Sequence, residues 1–269
     1  MSAFVNHFTF EFKTGLRNST SMLMNYLFPL GFYAMMGLVM TQINPGFKDV
    51  LIPAMGLVAI MASTLLGLPG PLVESREAGI FRSFKVNGVP AFSILVIPTL
   101  TTVFHALIAV TIIALTAAPL FGGLAPASWP NFALLTLLSV FTFGAIGSLI
   151  GVVSNASRGT VLWSQLIFLP SMLLGGLMMP FDLLPESVRR FAALLPTTYS
   201  MQAYLGLAYG QTTQLNPFFS VGILLASGLL ALGLAVYLFN WDSHNSARRG
   251  HPLLALLVLV PYVLGMLLG

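Results

Sequence analysis

The sequence predicts an all-α, polytopic integral membrane protein: a six-helix spanning core, an N-terminal interfacial helix, and a further hydrophobic segment at the C-terminus. Three observations predict it. Of 269 residues, 57% are hydrophobic and only 7% charged, whereas a soluble domain carries about 25% charged residues to face water. The apolar residues fall in runs near the roughly 20 residues that cross a bilayer as a helix. Those runs lack the alternation of a spanning β-barrel, and an unbroken apolar run can satisfy its backbone in lipid only as a helix. The 25 glycines and 17 prolines suit membrane helices better than soluble ones.

Composition also excludes some chemistry. There is no cysteine, so disulfides and thiolate-ligated zinc or iron–sulfur centres are ruled out. The net charge of +4 is accounted for by membrane orientation and calls for no nucleic acid. The bilayer itself is the one partner that composition demands.

In chain order, residues 2–17 read as an amphipathic helix lying in the headgroup plane. Val5, Phe8, Phe12 and Leu16 recur at helical spacing, with Glu11, Lys13 and Arg17 among the remainder. These same charges argue against a cleavable signal peptide. Spans are expected at 21–42, 50–73, 91–118, 131–153, 160–179 and 218–240. Residues 1–240 thus form the permeation unit, 241–251 a connector, and 252–269 an extra apolar segment that reads as a seventh span interrupted by Pro261.

Orientation follows the positive-inside rule. With the N-terminus inside, Lys13, Arg17, Arg76, Arg82, Lys85, Arg158, Arg248 and Arg249 are cytoplasmic, against Lys48, Arg189 and Arg190 outside. The loop Glu74–Pro90 then faces the cytoplasm and concentrates Glu74, Arg76, Glu77, Arg82 and Lys85 in a compact, helix-compatible stretch. The external segment Met179–Tyr199 is too polar to span and too apolar to float free. Prolines at 180, 185 and 196 break it into one or two half-helices that dip into the outer leaflet.

No G-x-x-x-x-G-K-[ST] phosphate loop occurs, so the chain carries no ATPase motif of its own. The expected spans hold no carboxylate, lysine or arginine in their interiors, which disfavours an ion-coupled carrier. No metal cluster, nucleophile–base pair or catalytic motif is found, so no catalytic or metal-ligating residue is assigned. His105, Asn25 and Gln165 are the polar groups inside spans that either line a pathway or tie helices together. An ion-coupled carrier or channel, and a membrane-embedded enzyme or assembly factor, stay open as alternatives.

Two segments carry a resemblance. Glu74-Ser75-Arg76-Glu77-Ala78-Gly79-Ile80, followed by Pro90, resembles the R-E-x-G loop of type-two ABC exporter permeases. Gly175-Gly176 with Pro180, then Leu184-Pro185, then Leu195-Pro196-Thr197-Thr198-Tyr199, is similar to that family's external G-x-x-x-P, L-P and P-x-T-Y elements. The resemblance covers essentially the whole chain. It implies a transmembrane subunit of a drug, lipid, polysaccharide or antibiotic exporter, paired with a second copy or a sister permease. ATP and Mg would be held by separate ABC ATPase subunits, and a hydrophobic or amphipathic substrate would pass between the permeases. It further implies that Glu74, Arg76, Glu77, Gly79 and Arg82 dock the ATPase. Gly175, Gly176, Pro180, Leu184, Pro185, Pro196, Thr198 and Tyr199 would shape the outer gate, in the plasma membrane with the N-terminus inside. The segment beyond Pro252 departs from the family's six spans.

Overall fold

A computed structural model describes residues 3–242 and 250–268, and among these every regular element is helical. The amphipathic α1 (Ala3–Arg17) leads into α2 (Ser19–Ile43). A 3-10 turn, Pro45–Asp49, then delivers the chain to α3 (Leu51–Glu77). A turn separates α3 from the short α4 (Ile80–Val86). Next come α5 (Ala91–Phe121), α6 (Trp129–Val153) and α7 (Ser157–Leu174). The half-helices are α8 (Glu186–Ala192) and α9 (Pro196–Ala203), the latter continued by a π turn over Tyr204–Ala208. The last long helix is α10 (Pro217–Leu238). After the connector, a 3-10 run Pro252–Leu259 passes into α11 (Val260–Leu268). Residues 243–249 of the expected connector, including Arg248 and Arg249 of the charge count, lie outside the described residues.

Among the described residues, five helices (α2, α3, α5, α6 and α10) are long and apolar enough to cross a membrane, so the chain is a multi-pass membrane protein. The span expected at 160–179 is α7, of 18 residues. Arg158, Ser164 and Gln165 make it less apolar than the others, and it ends at Leu174 because Gly176 turns the chain at φ 85°. The span expected at 50–73 is longer than anticipated. Beyond a bend at Leu68, α3 continues as Pro69–Glu77, which takes in Glu74, Arg76 and Glu77 at the start of the charged loop.

The core is organised around α3, whose residues from Leu51 to Leu65 are all buried. Its apolar side chains leave no polar face, and a helix hydrophobic all round belongs at the centre of a bundle. In the middle of α3 the backbone widens into a π turn, Ala62–Gly67, which presents the Thr64 carbonyl to α6. A Cβ on Gly147 would stand 2.0 Å from that oxygen, and one on Gly151 3.0 Å from Leu72. Glycine alone lets the two backbones approach this closely. On its other side α6 packs on α10, where the Thr142 hydroxyl donates to the Leu224 carbonyl at 3.0 Å. Asn216 caps α10 by accepting from the backbone N–H groups of Phe218 and Phe219, with Pro217 at the first helical position.

The aromatic side of α1 packs against α5. Phe12 stacks on His105 with centroids 4.5 Å apart and packs edge-on against Phe104 at 5.7 Å. Phe8 also meets Phe104 edge-on. Phe8 and Phe12, expected on the apolar face of this amphipathic helix, therefore hold α1 against the bundle.

Candidate functional site

The two motif regions sit at opposite ends of α6. At the loop end, α3 finishes at Glu77 and the chain reverses through Ala78 and Gly79. Gly79 has φ 72°, a left-handed conformation that costs glycine nothing and other L-residues appreciable strain. The turn launches α4 back across the end of the bundle.

Five residues were expected to share one role here, and the structure divides them. Glu74, Glu77 and Arg82 are exposed. Arg76 is 7% exposed and turns inward. Its Nη1 donates to the Val152 carbonyl at 2.8 Å and its Nη2 to the Ser154 carbonyl. The last carbonyls of a helix lack intrahelical donors and carry partial negative charge, so this guanidinium caps α6 and ties it to α3. Arg76 positions the loop in this conformation, with its side chain buried instead of displayed beside Glu74, Glu77 and Arg82.

The other side of α4 is fixed to the chain leaving α10. Arg82 pairs with Asp242, Phe81 packs on Phe239 at 5.7 Å, and Lys85 lies 6.0 Å over the Trp241 ring. Two apolar side chains remain outward beside the charges: Ile80 at 45% and Val86 at 83% exposure. A cavity of about 300 Å³ opens beneath, lined in part by Arg76, Val152, Asn155, Asn240 and Pro252.

At the other end, α7 gives way to a folded cap. Gly175 is packed so closely that a Cβ would meet Thr197 Oγ1 at 2.0 Å, and Gly176 supplies the left-handed turn. Pro180 and Pro185 are exposed at the bends flanking the 3-10 turn Phe181–Leu183. Leu184 is buried, and its carbonyl accepts from Arg189 Nη2 at 3.2 Å. Pro196 starts α9 at its first helical position. Two side chains of the P-x-T-Y element then fasten α8 to α9. The Thr198 hydroxyl donates to the Ala192 carbonyl at 2.6 Å, and the Tyr199 hydroxyl to the Ala193 carbonyl at 2.8 Å.

Both expected half-helices are present, but the second is packed in protein. Every residue of Pro196–Ala203 is buried. Ser200 faces Ser139 of α6, the Tyr204 hydroxyl donates to Thr136 at 2.8 Å, and Asn131 donates to the Leu207 carbonyl at 2.8 Å. The cap is therefore built directly on α6.

Among the described residues, the three polar span residues do not converge in one contact network. His105 is buried and hydrogen-bonded through Nδ1 to the Tyr26 hydroxyl at 2.7 Å, so it joins α1, α2 and α5. Asn25 is buried on α2, its Oδ1 facing Gly67 of α3. Gln165 is half-buried on α7. Asn25 Oδ1 and Gln165 Oε1 are buried acceptors without a hydrogen-bond donor among the described residues, a costly arrangement.

Sequence reasoning overlooked several residues of this arrangement. Asp242, Phe239 and Trp241 carry no local signal of a partner 160 residues upstream. Gly147 and Gly151 did carry one, since G-x-x-x-G in an apolar helix marks close helix contact. Ile80 and Val86 stay exposed while Phe81 beside them is buried, a distinction that only the fold makes.

Comparison with known proteins completes the description. A family described as ABC-2 type transporter matches residues 4–209. The Bacillus subtilis (strain 168) protein named "Putative transport permease YvfS" is 25% identical over 192 residues, covering 70% of this chain and 78% of that protein. No solved structure matches the chain.

Proposed function

This chain belongs to the ABC-2 type transporter family, and we propose from that premise that it is the membrane subunit of an ATP-driven exporter. It works in the plasma membrane with its N-terminus in the cytoplasm, paired with a second copy or a sister permease. ATP and Mg are handled by separate ATPase subunits. The passenger is hydrophobic or amphipathic and moves along a path bordered by α2 and α7, where Asn25 and Gln165 offer unpaired acceptors.

One observation carries the reading: the loop end is a rigid platform. Glu74, Glu77 and Arg82 are displayed with Ile80 and Val86 on a helix–turn–helix whose inner side is anchored to α6 by Arg76 and to the α10 exit by Asp242 and Phe239. A mixed charged and apolar surface on a stiff support suits a docking contact that must transmit force. A mobile loop would dissipate it. The chain supplies no phosphate loop, so the force comes from a partner.

The test is co-purification with candidate ATPase subunits, followed by ATPase measurements on the reconstituted complex. Glu77→Lys should abolish stimulation of the ATPase while insertion and thermal stability stay as in the parent, because Glu77 is exposed. Recovery of no ATPase, or full stimulation with Glu77→Lys, would count against the assignment.

A further inference from the structure

We propose that residues 252–268 cross the bilayer and that their outer end braces α9, stabilising the cap in the position seen here. That the cap acts as a gate rests on the functional reading above; the crossing and the brace do not. None of this segment falls within the family match, which ends at residue 209.

Length is the first argument. The segment has 8 residues in a 3-10 run and 9 in an α-helix. As a pure α-helix it would reach only about 25 Å. The 3-10 run rises about 2.0 Å per residue, so the whole reaches about 30 Å, the thickness of the hydrocarbon core. The stretched geometry makes a short segment long enough.

Its two ends touch opposite ends of the bundle. Gly250 packs against Tyr237 and Leu238 at the C-terminus of α10, and Pro252 borders the cavity beside Arg76. At the far end, Tyr262 is 1% exposed and clusters with Tyr199, Leu215, Ile223 and Leu224. The segment therefore runs antiparallel to α10. Leu256, Leu264, Leu267 and Leu268 face outward, and nothing from Pro252 to Leu268 is charged, as a lipid-facing helix requires.

The brace is the contact with Tyr199. The two tyrosine rings lie 5.6 Å apart, and the Tyr199 hydroxyl, which holds Ala193, also points to the Tyr262 carbonyl at 3.4 Å. A Cβ on Gly265 would fall 2.3 Å from that hydroxyl. Tyr199 can occupy its place only because residue 265 has no side chain. The P-x-T-Y tyrosine is thus held between α8 and a segment added outside the matched region.

The absence of cysteine permits single-cysteine labelling of the whole chain. With a membrane-impermeant maleimide on intact cells, Leu268→Cys should label directly and Ser83→Cys only after permeabilisation. Labelling of both from the same side overturns the crossing. If both report opposite sides but reversed, the crossing stands and the assigned orientation fails. Ala193→Cys then reads the brace, since its labelling reports opening of the cap. Adding Gly265→Ala should speed that labelling roughly tenfold, whereas Gly233→Ala, at a site with open space, should leave it unchanged. Tyr262→Leu removes a ring where Gly265→Ala adds bulk, and it should give the same acceleration even if the glycine variant does not accumulate. Unaltered Ala193→Cys labelling in every variant that accumulates overturns the brace, whatever the transport assay shows.

Discussion

Arg76 separates a residue that positions the loop from the exposed residues proposed above to dock a partner. Replacing it with alanine removes two donors from buried carbonyls, those of Val152 and Ser154. Hydrogen bonds from a charged group contribute roughly 1.5–3 kcal/mol each, and water can reach these carbonyls partially once the side chain is gone. The lower end of that range gives a loss of about 3 kcal/mol. In a chain of this size each kcal/mol moves the unfolding midpoint by roughly 2–4 °C, so Arg76→Ala should lower it by roughly 6–12 °C. Arg76→Lys keeps the charge but not the fork, can reach only one carbonyl well, and should lose about half as much. The assay is thermal unfolding of the purified protein in detergent, with Glu77→Lys measured alongside. Arg76→Ala with the parent's midpoint but no ATPase binding would refute the positioning role and return Arg76 to the docking surface.

Other predictions concern the same frame. Gly147→Val should fail to accumulate in the membrane, because its Cβ would lie 2.0 Å from the Thr64 carbonyl, whereas Gly31→Val, where nothing lies within 4 Å, should express normally in an immunoblot of membranes. Arg82→Glu should change stability by less than about 1 kcal/mol, since exposed ion pairs contribute little. It should nevertheless reduce ATPase stimulation, and the exchange Arg82→Glu with Asp242→Arg should restore part of it if α4 must stay fixed to the α10 exit.

What the sequence revealed tracks the range of the forces involved. Spans follow from local hydropathy, so five of the six core spans coincide with long apolar helices, and the sixth is shortened by a glycine turn already visible as Gly175-Gly176. The cap was legible because proline punctuates it. Its interior was not, because nothing local distinguishes a half-helix in lipid from one buried against α6. The burial of Arg76 was not legible for a related reason. Its charge reads as solvent-facing, yet a helix end 76 residues away supplies two acceptors that make burial favourable. For His105 the sequence left a pathway group and a helix tie both open, because its neighbours Phe12 and Tyr26 are distant in sequence.

These contacts give α6 a particular standing. Its C-terminus is capped by Arg76 of the loop, its C-terminal half is locked to α3 at Gly147 and Gly151, and its N-terminal half carries the cap through Asn131, Thr136 and Ser139. A helix of 25 residues spans about 37 Å, enough to join both membrane faces as one body. Movement imposed on the loop must therefore either carry α6 with it or break the Arg76 cap. Closely packed helices shift as units more readily than they deform, so the first course is favoured. The cap would then respond to the loop through a single rigid helix, with the C-terminal brace on Tyr199 as the contact that resists it.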